Sequence, residues 1–481
     1  MQAINSIINQ TLFLRKILMS IVEGISKEHI PWRYISIAAV LVLSLFGLLL
    51  VPFPKEVQAT WIIGISIVLW ATGWLPEWLT AFVFFTLSSV THIASPDVIF
   101  AGLYSSATWL VLSGIVLGTA INFTGLGNII AFRISPFFSG SFLRALWGSI
   151  IFGLIMTFIM PSAMSRVILL IPILTSLADR LGYVSGRPGR MAVLLGGVLG
   201  TYLPATAILP ANVPNNVLVG ATEAMFGHGP RYAEYFVLHF PVMGAFKIII
   251  LGIVLSLFYH DTAPQLQSDN ANEEHNHAGQ KPLAVLLLAT MLMWMTEPLH
   301  GISTAWVGML AAIICLYPHS RMMKPKPLAT MGVAPVFYVA GIVSMGMLAY
   351  RSGLANDVAT ALLHLVPMQH DAPIHNFSML SALSTIMGLI VTLPGVPAVL
   401  TPMTDTLSTA SGWSREAIYM TQVIGFSTVI LPYQAPPLVI AIQSGNLPAK
   451  DVIRTCFIIA LISIILLWPL DYFWWHLLGW L

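Results

Sequence analysis

The chain has 481 residues, of which 57% are hydrophobic and only 8% charged, with a formal net charge of +2. The small net charge gives no sign of a nucleic-acid partner, and the composition is typical of a protein that crosses a lipid bilayer several times. Two cysteines, Cys315 and Cys456, both lie in apolar runs, which argues against a disulfide framework or a metal site.

The N-terminal segment, 1–33, is predicted to lie along the membrane surface. Residues 11–25 (TLFLRKILMSIVEGI) combine apolar residues at helical spacing with Arg15 and Lys16. The first transmembrane helix is predicted over 34–57, because its apolar run approaches the ~20 residues that cross a bilayer. The Lys and Arg residues before that run place the N-terminus in the cytoplasm. We expect a multi-pass protein of the cell inner (plasma) membrane.

The remaining chain contains the same pattern twice. ATAILPANVPNNVLVG (205–220) aligns without a gap on STVILPYQAPPLVIAI (427–442), and two prolines coincide. Four shorter stretches match in the same order at nearly the same offset, for example TGLGN (124–128) with SGLAN (352–356). Five collinear matches indicate an internal duplication.

The two repeats are predicted to have opposite orientations. Repeat 1 is expected over 58–258 and repeat 2 over 283–481, with a hydrophilic cytoplasmic linker at 259–282. The loop at 95–104 has no Lys or Arg, whereas its counterpart in repeat 2 has three. Because short cytoplasmic loops collect Lys and Arg, this difference predicts an inverted repeat. The C-terminus is then expected outside, with the aromatic run 471–480 at the membrane interface.

Each repeat is predicted to contain a re-entrant hairpin, at about 143–178 and 377–408, and a broken helix, at about 190–222 and 415–444. Prolines and amides are unfavourable inside a regular apolar span, so each helix is predicted to unwind there around a ligand; the alternative is a proline kink without a ligand. The predicted fold is an all-α polytopic membrane protein with about 11 transmembrane helices plus two hairpins. Inverted repeats with helices broken at the midplane are typical of secondary transporters.

The order of motifs resembles the divalent anion/sodium symporter family, which includes dicarboxylate, citrate and sulfate carriers. TGLGNIIAFRI (124–134), a hairpin tip before ILLIPI (168–173) and the paired broken helices carry the resemblance. It implies a scaffold domain, a transport domain that moves as an elevator, and a homodimer. Where the family has Ser-Asn-Thr at its hairpin tips, this chain reads Ser162-Ala163-Met164 and Thr392-Leu393-Pro394.

Substrate contacts are expected from the hairpin tips and the broken helices. Arg166 is a candidate clamp for a carboxylate or oxyanion; the alternatives are a snorkelling Arg and a partner for a nearby Asp. Asp405 is a candidate for cation or proton coupling; the alternatives are an interfacial cap and the ion-pair partner of an Arg. The predicted substrate-binding residues are Ser162, Arg166, Asn212, Pro214, Asn215, Asn216, Thr392, Gly395, Gln434, Pro436 and Pro437. The predicted cation-coupling residues are Ser162, Asn212, Thr392, Asp405 and Gln434.

The expected function is secondary active transport of a small organic anion, first of all a di- or tricarboxylate, coupled to sodium ions or protons. The alternatives are an anion exchanger, a carrier of another anion such as sulfate, and a non-transporting membrane sensor or a channel. An enzyme is not expected, because neither an ATP-binding loop nor a catalytic residue set is evident. The expected partners are the anion, the bilayer and a second copy of the chain; no cofactor, no nucleic acid and no metal other than sodium is expected.

Overall fold

The structure, a computed structural model, describes residues 53–126, 129, 140–263, 278–365 and 367–481. Contacts divide the chain into two units, 1–58 and 59–481, and the first unit contributes only residues 53–58 to the described part. The predicted surface segment 1–33 and most of the predicted first transmembrane helix 34–57 therefore lie outside the described residues. All the sites considered below belong to the second unit.

The described part of the chain is helical and contains no strand. Within the described ranges, six helices are long and apolar enough to cross a membrane: Ser106–Thr124, Phe142–Ile159, Tyr232–Phe258, Ala334–Arg351, Pro373–Val391 and Ala449–Leu477. The other helices outside the hairpins and broken helices include Lys55–Thr72, Glu77–Val90, Gln280–Met295, Thr304–Leu316 and Leu354–Leu365. The predicted all-α class is confirmed, and the count of about 11 spans stays a prediction.

Local capping rules explain where several helices begin and end. The Ser105 hydroxyl accepts a hydrogen bond from the Ala107 N–H at the start of helix Ser106–Thr124. The same helix ends at Gly125, whose φ of 68° is left-handed and therefore favours glycine. Ser141 and Ser414 cap two further helices in the same way as Ser105. These side chains satisfy N–H groups that have no partner within the helix.

Two helical hairpins are present. The first hairpin, residues 142–180, consists of helices Phe142–Ile159 and Ala163–Arg180 joined by a tip at 160–162. The second hairpin, residues 373–411, begins with Pro373–Val391 and turns at 392–394. Its second arm is divided into three short segments, Gly395–Leu400, Thr401–Met403 and Thr404–Ser411.

Two broken helices follow the hairpins. The first broken helix, residues 188–226, unwinds after Tyr202 into two short 3-10 turns, and helix Val213–Phe226 follows them. The second broken helix, residues 415–444, unwinds after Ser427 and resumes at Pro436 after one 3-10 turn. The prolines explain the interruptions, because each removes an N–H donor and clashes with the preceding turn.

The repeats cross each other at the broken helices. Val213–Phe226, from the first broken helix, packs against Gly395–Leu400 after the second hairpin tip. Reciprocally, Pro436–Ser444 from the second broken helix packs against Ala163–Arg180 of the first hairpin. The helix that follows each hairpin tip therefore packs against the second half of the other repeat's broken helix, called a half-helix below.

Within each repeat, a hydroxyl on the hairpin holds a carbonyl of the broken helix. Thr157 Oγ1 donates to the Thr201 carbonyl at 3.0 Å, and Ser384 Oγ donates to the Gln422 carbonyl at 2.8 Å. The second pair also requires a glycine, because a Cβ on Gly425 would lie 2.1 Å from Ser384 Oγ. These contacts fix each hairpin against its own broken helix.

The last helix of each repeat contains a π-helical segment. Tyr232–Phe258 includes Phe240–Phe246, and Ala449–Leu477 includes Ser463–Leu467. The two π-helical segments contact each other. A π-helical segment widens the helix locally and often marks a functional position.

The linker between the repeats is described only at its ends. Its first residues are held by Arg187, which forms an ion pair with Asp261. At the other end, helix Gln280–Met295 begins inside the range predicted for the linker, 259–282. The Gln280 side chain donates to the Thr124 carbonyl at 2.8 Å, and this contact accounts for the earlier helix start.

Candidate functional site

Arg166 is fully buried and bonded to protein groups. Its guanidinium donates to the Met160 carbonyl at the first hairpin tip, to Thr201 Oγ1 at 3.0 Å and to the Ala211 carbonyl at 2.9 Å. Thr201 and Ala211 lie on either side of the first break, so one charge holds the tip and both sides of the break together. The arrangement explains how a charge is tolerated in the interior, because several carbonyl dipoles compensate it.

Asn215 closes the first break. Its side-chain N–H₂ donates to the carbonyls of Ala205 and Ile208, both at 2.8 Å. Those carbonyls belong to the unwound backbone, so the amide supplies donors that the interrupted helix lacks. Asn215 is fully buried, and its Oδ1 has no hydrogen-bond partner among the described residues. The first break therefore keeps a free acceptor atom.

Gln434 closes the second break with the opposite end of its amide. Its Oε1 accepts from the N–H groups of Ile430 and Leu431, both at 2.8 Å, while its backbone carbonyl accepts from Leu393 N–H at the second hairpin tip. Gln434 is also fully buried, and within the described residues its Nε2 has no partner. The second break therefore keeps a free donor.

Two other buried side chains near the breaks carry unpaired atoms: an amide oxygen, as on Asn215, and an amide nitrogen, as on Gln434. In the described part of the chain, Asn216 Oδ1 has no hydrogen-bond partner, and it lies beside Asn215 in sequence. Gln422 Nε2 is likewise unpaired, while its Oε1 accepts from Thr401 Oγ1 at 3.1 Å. Buried polar atoms in a folded protein are almost always paired, so a group of unpaired ones marks a place where a ligand can bind.

Asn212 and Ser162 act as helix caps. Asn212 Oδ1 accepts from the Val213 N–H at 2.9 Å, and its Nδ2 has no partner among the described residues. Ser162 Oγ accepts from the Ser165 N–H at 3.3 Å, at the start of the second arm of the first hairpin. Both side chains therefore order a half-helix N-terminus, where N–H groups and the helix dipole favour an anion.

The prolines at the two half-helices leave different numbers of free backbone N–H groups. Pro214 stands alone and is followed by two residues that keep their N–H groups. Pro436 and Pro437 occupy the first two positions of helix Pro436–Ser444 and have no N–H to donate. The second half-helix therefore offers an anion fewer backbone donors than the first, so the free donor on Gln434 becomes more important.

The second hairpin tip contains a strained residue. Thr392 has φ 66° and ψ 166°, a conformation that is unfavourable for a residue with a β-branched side chain. Gly395, three residues later, is buried, and a Cβ there would lie 2.8 Å from a Val391 methyl group. Strain of this kind persists only where the surrounding structure enforces it, and it is common at ligand-binding positions.

Asp405 lies away from the two breaks and forms an ion pair. Its carboxylate accepts from Arg415 Nε at 2.5 Å and from the Tyr350 hydroxyl at 2.9 Å. The side chain is 34% exposed. Asp405 is therefore the ion-pair partner of an Arg, as one of the predicted alternatives had it. Its predicted coupling role stays a prediction.

Outside the spanning helices, Asp261 stabilises the start of the first broken helix. It accepts from Arg187 and from the Gly189 N–H at 2.9 Å. Burial alone would raise the pKa of Asp261, but the hydrogen bonds from Arg187, Gly189 and Thr262 outweigh burial and lower it. The carboxylate thus stays ionised at the N-terminus of a helix, where a negative charge is favourable.

The sequence analysis missed two groups of buried polar residues. Gln422 and Thr201 contact the site directly, and a glutamine inside an apolar helix was the available signal for the first. Lys247 and Asp471 are buried charges on the last helices of the two repeats. Asp471 belongs to the aromatic run predicted at the membrane interface, yet it is 0% exposed, because its helix packs that face inward. In the described part of the chain, no three His, Cys, Asp or Glu side chains are placed to hold a metal ion.

These features define a multi-pass, all-helical membrane protein with two hairpins and two broken helices. The chain matches the sequence profile of the family described as "Sodium:sulfate symporter transmembrane region" over residues 7–481. The chain belongs to this family of membrane transporters. The resemblance read from the motifs is thereby confirmed.

Individual relatives are distant. A protein named "Membrane protein" from Cupriavidus necator is 24% identical over 79% of this chain and 76% of its own length. The L-tartrate/succinate antiporter of Escherichia coli (strain K12) is 22% identical over 92% of this chain and 91% of its own length. Among solved structures, the Alcanivorax borkumensis YdaH transporter shares the fold, with a TM-score of 0.53 and 14% identity over 80% of this chain and 88% of that chain.

Proposed function

We propose that this chain is a secondary active transporter of a small organic anion, with a di- or tricarboxylate as the preferred substrate class. The observation that carries the proposal concerns two buried side-chain amides. Asn215 closes its break with its N–H₂ group, and Gln434 closes the other break with its oxygen. Each closes one break and leaves its other end unpaired. The result is an acceptor at the first break and a donor at the second.

The free acceptors favour a cation and the free donors favour an anion. Asn215 Oδ1 and Asn216 Oδ1 are amide oxygens, which hard cations prefer as ligands. Gln434 Nε2 and Gln422 Nε2 are N–H donors suited to carboxylate oxygens. Discontinuous helices in other transporters use the same division between carbonyl groups and half-helix N-termini. A sodium ion or a proton is proposed as the coupling ion.

An elevator-type movement is proposed for the transport step. The crossed packing supports it, because the helix that follows each hairpin tip contacts a half-helix of the opposite repeat. Hairpins and broken helices held together in this way can move as one body against the rest of the protein. A homodimer, as the family resemblance implies, would provide the fixed scaffold.

An anion exchanger is the second candidate function. The printed name of the Escherichia coli relative, an L-tartrate/succinate antiporter, favours it. Exchange and ion-coupled symport use the same binding site and differ in whether the empty carrier can reorient. Both functions are therefore compatible with the two amides at the breaks.

The experiment is uptake of labelled succinate, L-tartrate, citrate and sulfate into proteoliposomes of the purified protein. We expect saturable uptake of at least one dicarboxylate, driven by a sodium or proton gradient. Uptake that requires preloaded anion and ignores both gradients would instead establish the exchanger. A channel would give flux without counterflow, and absence of every flux would overturn the transport proposal.

A further inference from the structure

Two opposite charges lie inside the protein, on helices that belong to neither the hairpins nor the broken helices. Lys247, on helix Tyr232–Phe258, is 1% exposed, and Asp471, on helix Ala449–Leu477, is 0% exposed. Charged residues within spanning helices are rare and costly, and they commonly mark ion or proton pathways. Neither residue belongs to a hairpin or a broken helix, so the proposed substrate site does not account for them.

Lys247 holds the backbone where the second broken helix unwinds. Its Nζ donates to the Ser427 carbonyl at 2.8 Å and to Ser427 Oγ at 3.1 Å. Ser427 is the last residue of helix Arg415–Ser427, and the last carbonyls of a helix have no partner within it. A cation at this end also interacts favourably with the helix dipole. Lys247 is therefore a cap supplied by the other repeat.

Asp471 has no such partner. Both of its carboxyl oxygens are buried and lack a hydrogen bond within the described part of the chain, although the charge of Lys247 acts on it. The indole N–H of Trp475 lies close to Asp471 but makes no hydrogen bond of normal geometry among the described residues. An unpaired buried carboxyl is far less costly as a neutral acid than as an anion. The arrangement is therefore that of a protonated Asp471.

Both charges are next to the π-helical segments. Phe240–Phe246 ends directly before Lys247, and Ser463–Leu467 ends four residues before Asp471. Because the two segments contact each other, a change in one helix reaches the other. Single-turn π-helical segments in α-helices are frequent at functional sites.

Other titratable groups lie on the elements packed around this pair. His239 is buried, with Nε2 3.5 Å from Met420 Sδ and Nδ1 unpaired among the described residues. The other titratable or charged side chains on the surrounding helices are Arg190, Tyr202, Tyr232, Glu234, Tyr235, His375, Arg415, Glu416, Tyr419, Lys450, Asp451, Arg454, Cys456, Tyr472 and His476. Of these groups, Lys247 is the fully buried cation, and it directly follows the π-helical segment Phe240–Phe246, which packs against the helix of Asp471.

We propose that Asp471 binds the coupling proton of the transport cycle and that Lys247 transmits its charge state to the second broken helix. The inference rests on the proposed transport function. A proton adds to one carboxylate oxygen of Asp471, the side chain becomes neutral, and no other bond changes. With Asp471 neutral, Lys247 is held by Ser427, as in the structure. With Asp471 ionised, its charge attracts the ammonium group and weakens its hold on Ser427.

The first test measures uptake of labelled succinate with and without an inward pH gradient, at constant sodium. For one coupled proton, a gradient of one pH unit can raise accumulation up to about tenfold. We expect the gradient to stimulate succinate uptake by the wild type and not by Asp471→Asn. Asparagine has the size and shape of aspartate but cannot bind or release the proton. Asp357→Asn, on an exposed position of another helix, is the matched control and keeps the stimulation.

The outcomes separate this inference from the proposed function. Wild-type protein that shows succinate counterflow but no response to the pH gradient overturns the inference and leaves the transport function standing. Wild-type protein that moves no succinate overturns the proposed substrate. Full gradient stimulation in Asp471→Asn also overturns the inference.

A second measurement does not depend on any substrate. Infrared difference spectroscopy of the wild-type protein, titrated from neutral to alkaline pH, reports the C=O stretch of a protonated buried carboxyl group. We expect this band at neutral pH, its loss on deprotonation, and its absence from Asp471→Asn. An identical band in wild type and variant, or no such band in either, overturns the inference, whether or not succinate is the substrate.

Discussion

The two broken helices have the same shape and opposite chemistry. At the first break an amide nitrogen, on Asn215, satisfies two backbone carbonyls; at the second an amide oxygen, on Gln434, satisfies two backbone N–H groups. The hairpin tips differ as well, because the first is held by the charged side chain of Arg166 and the second by a backbone hydrogen bond. The two repeats are thus interrupted at corresponding places, while the unpaired ends of these two amides are complementary.

The largest effect is expected from Arg166→Met. Each hydrogen bond to a charged group contributes roughly 1.5–3 kcal/mol, and Arg166 makes several, so we expect a loss of at least about 3 kcal/mol of folding free energy. Thermal unfolding in detergent measures it. Arg144→Met, on an exposed position of the same hairpin, is the control. Normal stability combined with lost succinate binding would instead support the predicted anion clamp.

Asn215→Asp tests the polarity of the first break. An aspartate has no N–H₂ and places carboxylate oxygens against the carbonyls of Ala205 and Ile208, so we expect a loss of about 2 kcal/mol or more. The melting temperature in detergent is the measurement. A variant as stable as the wild type would show that the amide does not close this break.

Gln434→Glu is the reciprocal change and should act on substrate rather than on folding. A glutamate still accepts from the N–H groups of Ile430 and Leu431, so we expect stability within about 1 kcal/mol of the wild type. Its free end becomes a carboxylate oxygen at alkaline pH and repels an anion. We expect succinate affinity to fall about tenfold or more as pH rises. Unchanged affinity at alkaline pH would remove Gln434 from the site.

Thr392→Gly tests the strain at the second tip. Glycine adopts a φ of 66° without steric cost, so we expect a gain of about 1 kcal/mol in stability. Transport should decrease, because the hydroxyl group is lost. Thr392→Ser keeps the hydroxyl and separates the two effects. A lower melting temperature for Thr392→Gly would mean that the backbone is not strained there.

The smallest effect is expected from Asp261→Asn, at the start of the first broken helix. Because the folded-state pKa of Asp261 lies below its ordinary value, its contribution to stability is present above about pH 4 and is lost as pH falls through the lowered value. We expect the wild type to melt slightly higher than the variant at neutral pH, and the difference to shrink as the pH falls below about 4. A difference that persists in acid would contradict this origin.

The sequence predicted the parts of the fold that follow from periodicity and proline. Hydrophobic runs predicted spanning helices, and Pro210 and Pro432 lie within the interruptions that the structure contains. The roles of single side chains could not be predicted, because they depend on what lies across the fold. Arg166 reaches Ala211, 45 residues later, and Lys247 reaches Ser427, 180 residues later. No spacing rule along the chain describes such contacts.

The residues missed by sequence analysis share one property. Lys247, Asp471 and Gln422 are polar side chains inside long apolar helices, and nothing in a linear pattern distinguishes a buried one from one facing water or lipid headgroups. Asp471 was also difficult to recognise because its sequence neighbours are aromatic, and such residues are typical of a membrane interface. Only the packing of the last helices of the two repeats shows that it is buried.

The central claim is that the unpaired donor at the second break binds the anion. The most direct measurement is counterflow of labelled succinate in proteoliposomes containing wild type or Gln434→Glu, at neutral and at alkaline pH. We predict transient accumulation in the wild type at both pH values and its loss in the variant at alkaline pH, with unfolding curves that match at neutral pH. Equal counterflow in the two proteins at alkaline pH would contradict the account.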